Sequence, residues 1–206
     1  MLRYTLITIY STFLFISCKQ NKSNIEYDIK GKSVYFFENK EIVSDSARVL
    51  FNNGIEEQQN KNFDNATKLI EKANEVENNN PIIINGLANL EFLKGNKSYS
   101  YELLESALKI DSTNVPSYVN MAANYMKDRK YLEASKMLEK GLDYVSQTNN
   151  HQKSILHLNL AIAYNNMDDC KNGLLSANQA LKFSENSELR KFAKKIIKES
   201  KVLCSD

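Results

Sequence analysis

The side chains with the most reactive chemistry in this 206-residue chain are three cysteines and two histidines. A zinc module needs closely spaced pairs of Cys or His ligands, and these five residues do not provide them. His151 and His157 are six residues apart, whereas residues that share a helix face are three or four apart. No Ser, Cys or Asp stands at a spacing typical of an activated nucleophile. We therefore predict no metal site, no cofactor, no small-molecule substrate and no enzymatic activity.

Glycine and proline usage excludes further classes. None of the six glycines stands in G-x-G spacing, so a dinucleotide fingerprint and a Walker phosphate loop are both absent from the sequence. All-β folds need turns about every 8–12 residues, and the glycine and proline supply is too small for that. The formal charge is only +2, and the one basic run is C-terminal, so no nucleic-acid partner is predicted. A mostly helical chain remains.

The first eighteen residues have the pattern of an export signal. Arg3 precedes thirteen uncharged residues, 4–16, and a membrane-spanning helix would need about 20 apolar residues. The run ends at Ile16, Ser17 and Cys18, after which the chain becomes polar. An apolar residue, a small residue and Cys at this point resemble the lipobox of bacterial lipoproteins. The resemblance implies a signal peptide over 1–17 and a lipid on Cys18. A cleaved secretory signal with a coincidental cysteine is the alternative.

A lipid on Cys18 would anchor the protein to a membrane of the bacterial cell envelope, since each buried CH₂ contributes about 0.8 kcal/mol. Lipoproteins sent to the exterior of Bacteroidota-like bacteria often carry acidic residues after this cysteine. Residues 19–22 are Lys-Gln-Asn-Lys, which favours a periplasm-facing protein. Residues 18–45 read as a tether. Within it, the apolar residues 33–37 and 41–43 suggest a small hairpin or an extended segment that docks on the domain.

The remaining chain contains a repeat. Similar short sequences occur at residues 118–125 and 158–164, and Ala-Leu pairs occur at 107–108 and 180–181. They resemble the tetratricopeptide (TPR) repeat, a helix–turn–helix unit of 34 residues. A period of 34 residues divides the chain without a gap into residues 47–80, 81–114 and 115–148 (repeats 1 to 3). Repeat 4, residues 154–187, follows a five-residue insertion at 149–153.

The register is supported by small residues at three positions of each repeat, where TPR helices cross closely. The eighth, twentieth and twenty-seventh positions hold Gly54, Ala66 and Ala73; Ala88, Ser100 and Ala107; Ala122, Ala134 and Gly141; and Ala161, Gly173 and Ala180. The eleventh position, usually Tyr, departs from the pattern with Glu57 and Glu91. The resemblance implies an all-α, right-handed α-solenoid over residues 46–204. Its last helix, 187–203, would be capped by Ser187, with lysines on its outer face.

The two C-terminal cysteines could pair. Cys170 opens the second helix of repeat 4 and Cys204 closes the last helix. These two helices should pack antiparallel, which places both thiols at the same end of the hairpin. In an exported chain we expect a disulfide between them, with two unpaired cysteines as the alternative.

In TPR proteins the first helix of each repeat lines a concave groove. The polar residues that the register carries onto this groove are Arg48, Asn52, Asn85, Asn89, Asn120, Lys127, Asn159, Asn165 and Asn166. Asn offers both a donor and an acceptor to a peptide backbone, although Asn at the sixth position is also simply common in this repeat. We expect a non-catalytic scaffold that binds a protein or peptide partner. The alternative is an accessory or regulatory subunit of an envelope enzyme or of a secretion or assembly complex, acting through self-association.

Overall fold

The computed structural model describes the backbone of residues 26–30 and 33–37, and residues 41–205. The predicted signal peptide and Cys18 lie outside these described residues. Within them the chain forms two strands and nine helices: β1 (Glu26–Lys30), β2 (Ser33–Phe37), α1 (Asp45–Gln59), α2 (Phe63–Val76), α3 (Pro81–Lys94), α4 (Lys97–Ile110), α5 (Val115–Lys127), α6 (Tyr131–Tyr144), α7 (Asn150–Asn165), α8 (Cys170–Phe183) and α9 (Ser187–Leu203).

The helices stack as four antiparallel pairs followed by α9. Each pair packs internally, and the odd-numbered helices α1, α3, α5, α7 and α9 also contact one another in succession. The even-numbered helices α2, α4 and α6 make no comparable contacts with one another. Each even helix packs instead on the odd helix that follows it, so the stack curves with the odd helices on the inside. The expected all-α solenoid of about four helix–turn–helix units and a final helix is therefore confirmed.

Small residues allow the two helices of each pair to approach closely. A Cβ on Gly54 in α1 would lie 3.2 Å from the Ala66 carbonyl oxygen and would collide with the Ile70 side chain of α2. In the next pair, the Ser100 hydroxyl donates to the Ala88 carbonyl at 2.6 Å. Both contacts join the eighth position of a repeat to its second helix, so this crossing depends on small side chains.

The turn inside each helix pair contains one residue in the left-handed region. The φ angles are 64° at Lys61, 95° at Gly95, 60° at Arg129 and 60° at Asp168. These residues all occupy the fifteenth position, and they are 34, 34 and 39 residues apart. The turns thus recur with the 34-residue period of the sequence repeat, and the five-residue insertion lengthens the spacing before the fourth turn.

Three of these four turn residues have a Cβ in a conformation that favours glycine. Replacing the exposed Lys61 by glycine should therefore stabilise the fold by about 0.5–1 kcal/mol. Replacing Gly95 by alanine, whose Cβ would meet open space, should destabilise it by about 1 kcal/mol through backbone strain alone. Urea unfolding of both variants measures the two changes. Equal stability of the Gly95→Ala variant and the parent would contradict this account of the turns.

Asparagine side chains cap the N-termini of α3, α5 and α7, the first helices of repeats 2 to 4. Asn80 accepts from the Ile82 and Ile83 amides, Asn114 from the Ser117 amide and Asn149 from the Gln152 amide. Helix α9 is capped by Asn186, which accepts from the Glu188 and Leu189 amides. The expectation that Ser187 caps this helix was wrong by one residue, because Ser187 is already its first helical residue.

Helix α7 begins earlier than the repeat register suggests. It starts at Asn150, so residues 150–153 of the insertion form its first turn. His151 consequently lies on this helix and is half-buried. None of the described helices has both the length and the apolar character needed to cross a membrane.

A disulfide joins Cys170, the first residue of α8, to Cys204, the C-cap of α9. The two Cα atoms are 5.3 Å apart. The bond closes the α8–α9 hairpin at its open end. It therefore ties the terminal helix, which has a neighbour on one side only, to the solenoid.

Replacing both cysteines by serine should loosen α9 specifically. The bridge spans 34 residues of sequence, for which the chain-entropy model gives a loss of about 3–4 kcal/mol. Because each repeat contacts only its neighbours, the loss should appear as faster amide hydrogen exchange in α9 while α1 to α4 keep their protection. Unchanged exchange in α9 after the double substitution, or after reduction of the parent, would contradict this role.

Candidate partner-binding groove

The concave groove is the inner face formed by α1, α3, α5 and α7. The predicted groove residues near its centre are buried rather than exposed. Asn85, Asn89, Asn120 and Asn159 are at most 3% exposed. Asn120 donates from Nδ2 to Asn85 Oδ1 at 3.2 Å, which links α5 to α3. Part of the asparagine pattern therefore holds successive repeats together.

Strand β2 lies against the centre of this groove. Outside its own hairpin, β2 packs on α5 and α7, which are the first helices of repeats 3 and 4. These two helices have buried residues on nearly every side, as does α3, whereas α1 buries residues of one face only. At the sixth position Asn52 in α1 is exposed, while Asn85, Asn120 and Asn159 are buried.

The hairpin differs from the one suggested by the sequence. Strand β2 pairs antiparallel with β1 upstream, in a register from Glu26 opposite Phe37 to Lys30 opposite Ser33. Residues 26–30, expected to be polar tether, are thus a strand. Residues 41–43, expected to be apolar and extended, do not pair with β2. The extended segment that docks on the helices is β2, which packs on α5 and α7.

Residues 41–44 form an anchor segment on the first repeat. The Ile42 side chain is fully buried in the core. The Val43 and Ser44 amides donate to the Glu77 carboxylate at 3.2 and 2.7 Å. Asn80 Nδ2 donates to the Glu41 carbonyl at 3.0 Å. The chain that leaves β2 is therefore fixed from Glu41 onward, four residues after Phe37.

Arg48 belongs to this anchor. Its Nη1 donates to the Ile42 carbonyl at 2.8 Å, and its Nη2 pairs with Asp45. Arg48 therefore lies on α1, where it holds the anchor segment and its charge stabilises the Glu77 carboxylate. It does not join the asparagines at the groove centre.

Glu77 organises the anchor through its charge. Burial acts to raise the pKa of Glu77, but hydrogen bonds from the Ser44 amide, Asn80 and the Val43 amide, together with the charge of Arg48, outweigh it. The net effect holds the pKa of this carboxyl below its usual range. A lowered pKa in the folded state stabilises the fold above the unfolded pKa of about 4.3. This stability is lost as the pH falls through the folded value.

Replacing Glu77 by glutamine should destabilise the fold by about 1–2 kcal/mol at pH 7, because charge-assisted hydrogen bonds to two backbone amides are weakened. The difference from the parent should shrink as the pH falls below about 4, where the parent carboxyl is itself protonated. Urea unfolding across this range measures it. Glu75→Gln, on the exposed side of the same helix, is the matched control and should change stability by less than about 0.5 kcal/mol. A Glu77→Gln effect independent of pH would contradict the role of the charge.

Two buried amide oxygens at the N-terminal half of the groove lack donors. Gln58 Oε1 on α1 and Asn89 Oδ1 on α3 have no hydrogen-bond partner among the residues described. Their residues are 7% and 3% exposed. A buried acceptor without a donor costs about 1–3 kcal/mol, so a donor supplied from outside the chain would be favourable here.

The C-terminal end of the groove holds a cavity of about 350 Å³ between α7 and α9. Its walls combine Ile162, Phe192 and Ile196 with the polar Asn165 and Asn166 and with the ion pair of Lys195 and Glu199. These two asparagines are already bonded within the chain, Asn165 Oδ1 to the Ser200 hydroxyl at 3.0 Å and Asn166 Nδ2 to the Ile162 carbonyl at 2.8 Å. The cavity therefore has apolar walls with a polar edge.

Lys127 lies at the edge of the groove beside an aromatic cluster. Its Nζ is 5.3 Å from the centre of the Phe92 ring. Tyr101 meets Phe92 edge-on and stacks on Tyr125, with ring centres 5.0 Å apart. Burial raises the pKa of Tyr101, and the nearby Asp128 carboxylate raises it further, so the phenol stays neutral. Lys127 is thus an exposed cation over a neutral aromatic surface.

The candidate metal-binding and acid–base groups of the described residues are their His, Cys, Asp and Glu side chains. No group of three His, Cys, Asp or Glu side chains there could hold a metal ion. His157 stacks on Phe183 with ring centres 5.9 Å apart. Burial, and secondarily the charge of Lys153, lowers the pKa of His157, so its imidazole is a packed neutral ring.

Comparison with known proteins identifies the fold. No protein-family model and no curated protein sequence matches the chain. Among solved structures, pilF of Pseudomonas aeruginosa matches with a TM-score of 0.63 at 17% identity, over 77% of this chain and 73% of that chain. MamA of Desulfovibrio magneticus RS-1 matches with a TM-score of 0.51 at 14% identity, over 79% and 95%. Both are TPR-repeat proteins. The chain has the TPR fold.

The two glutamates at the eleventh position, which depart from the TPR pattern, make the same kind of hydrogen bond. Glu57 and Glu91 stand where Tyr is usual, and each accepts from the Asn five residues later. Asn62 Nδ2 lies 2.8 Å from Glu57 Oε2, and Asn96 Nδ2 lies 2.6 Å from Glu91 Oε2. A hydrogen bond across the turn thus replaces the tyrosine ring in the first two TPR units.

Proposed function

We propose that this chain is a non-catalytic interaction scaffold that binds a segment of a protein partner in its concave groove. The TPR fold of the structural neighbours supports the general class. The observation that carries the proposal is a pair of acceptors without a hydrogen-bond partner among the described residues, Gln58 Oε1 on α1 and Asn89 Oδ1 on α3. Both oxygens are closed off from solvent, so a partner segment must move the side chains over them before its backbone N–H groups can satisfy both acceptors.

The cavity between α7 and α9 extends the same surface. Its apolar side chains can take a side chain of the partner, while Lys127 and the polar edge at Asn166 remain accessible to polar groups. A groove of this kind matches the anatomy of interfaces, in which apolar pockets are rimmed by polar residues. The groove would thus bind a short apolar motif of the partner together with the polypeptide backbone on either side of it.

We also propose that the protein is lipid-anchored at Cys18 and faces the periplasm. The lipobox-like residues 16–18 support the anchor, and the Cys170–Cys204 disulfide is typical of an oxidising, exported location. An anchor of this kind would confine the scaffold to a membrane surface and raise the local concentration of partners there. Radiolabelled palmitate incorporation in cells tests it, and a Cys18→Ser chain that still incorporates the label would contradict it.

Site-specific crosslinking in cells tests the groove. A photo-crosslinking amino acid at Asn166 or Lys127 samples the groove, since both side chains are accessible there. The same amino acid at Leu132 on α6 or Leu175 on α8, both exposed on even-numbered helices, is the matched control. We expect one adduct of the same mass from both groove positions, identified as one protein by mass spectrometry, and none of that mass from the controls. The same adducts from all four positions, or none from the groove, would reject the proposal.

A further inference from the structure

Strand β2 occupies the groove where a ligand of a TPR solenoid would lie. It packs on α5 and α7, the two inner helices of repeats 3 and 4. It is also an extended segment, with the sequence Ser-Val-Tyr-Phe-Phe over Ser33–Phe37. The hairpin therefore places a strand of uncharged residues, three of them aromatic, on the α5 and α7 part of the groove.

The fifth and sixth positions of the two helices that β2 contacts are uncharged. The fifth and sixth positions of repeats 3 and 4 are Val119 and Asn120, and Leu158 and Asn159, and all four are at most 1% exposed. Apolar side chains beside amides favour a segment that is itself apolar and that keeps backbone groups to bond. A strongly charged segment would lose its hydration here without gaining a counter-charge.

The hairpin depends on the groove for its stability. An isolated two-stranded hairpin is marginal in water and needs packing against other elements. The anchor segment supplies proximity, because only residues 38–40 separate β2 from the buried Ile42 and its neighbours. Such a short connection keeps β2 at a high effective concentration over the groove. A hairpin held in this way is local in stability and can leave without unfolding the solenoid.

We propose that β2 is a built-in occupant of the groove over α5 and α7, and that the partner segment is an extended, uncharged aromatic strand that binds by displacing it. The identity of the partner segment rests on the proposed function, whereas the occupancy by β2 does not. The chain is then partly autoinhibited. The apparent dissociation constant of the partner equals that for an empty groove divided by the fraction of molecules in which β2 is displaced.

Thiol accessibility in the full chain tests the occupancy. A Cys18→Ser background removes the one other thiol, since the remaining two cysteines form the disulfide. Val119→Cys reports on the groove, and Leu138→Cys, fully buried on α6, reports on the core. Tyr35 is the central residue of β2 and pairs with Asp28, so Tyr35→Pro should break the strand. Tyr35→Phe is the matched control that keeps it.

We expect the labelling rate of Val119→Cys to be at least about tenfold higher with Tyr35→Pro than with Tyr35→Phe. The rate at Leu138→Cys should be equal in both. Equal rates at Val119→Cys would overturn the proposal. Faster labelling at both cysteines would overturn it too, because β2 would then stabilise the whole solenoid instead of covering a surface.

A peptide of residues 31–40 tests whether the groove takes such a strand in trans. Added to the Tyr35→Pro chain, it should slow the labelling of Val119→Cys again, and a scrambled peptide of the same composition should not. Equal protection by both peptides, or by neither, would overturn the aromatic strand as the ligand class.

The crosslink from Asn166 separates this inference from the proposed function. Displacement predicts more of the adduct with Tyr35→Pro than with Tyr35→Phe. Equal adduct in both leaves the scaffold function intact and overturns displacement. If neither chain gives an adduct, the scaffold function fails, while the thiol rates still decide whether β2 covers the groove.

Discussion

The close crossing of the two helices in each repeat is the constraint on which the rest of the structure depends. At Gly54 the neighbouring helix approaches so closely that a methyl group would collide with Ile70, and at Ala88 the gap is bridged by the Ser100 hydroxyl. Small residues at this crossing bring the helix axes together within each pair. The pairs then stack through their first helices, and the curvature that results creates the concave groove.

Asparagine serves three different purposes in this solenoid. At Asn80 and Asn114 it caps a first helix, at Asn96 it bonds a glutamate that replaces a tyrosine, and at Asn120 it links neighbouring repeats. Its single side chain offers both a donor and an acceptor, so it suits helix ends and interior contacts alike. On α3, α5 and α7 the same residue makes the inner face rich in buried amides, at Asn85, Asn89, Asn120 and Asn159.

The repeat could be predicted from the sequence because small residues recur at a fixed spacing and respond to one local contact. The left-handed turn residues Lys61 and Arg129 could not, since their side chains give no sign of the conformation that the turn imposes. The docking of β2 was also beyond the sequence in detail. Its partner strand is a polar segment, and its position on α5 and α7 depends on contacts between residues far apart in the chain.

If the inner face of α5 and α7 takes an extended strand, β2 fills this place in the free protein. Amide hydrogen exchange of β2 in the full chain measures the occupancy. The amides over Ser33–Phe37 should exchange at least about a hundredfold more slowly than in a free peptide of residues 26–40, because an undocked hairpin is marginal. Exchange at the rate of the free peptide would contradict it.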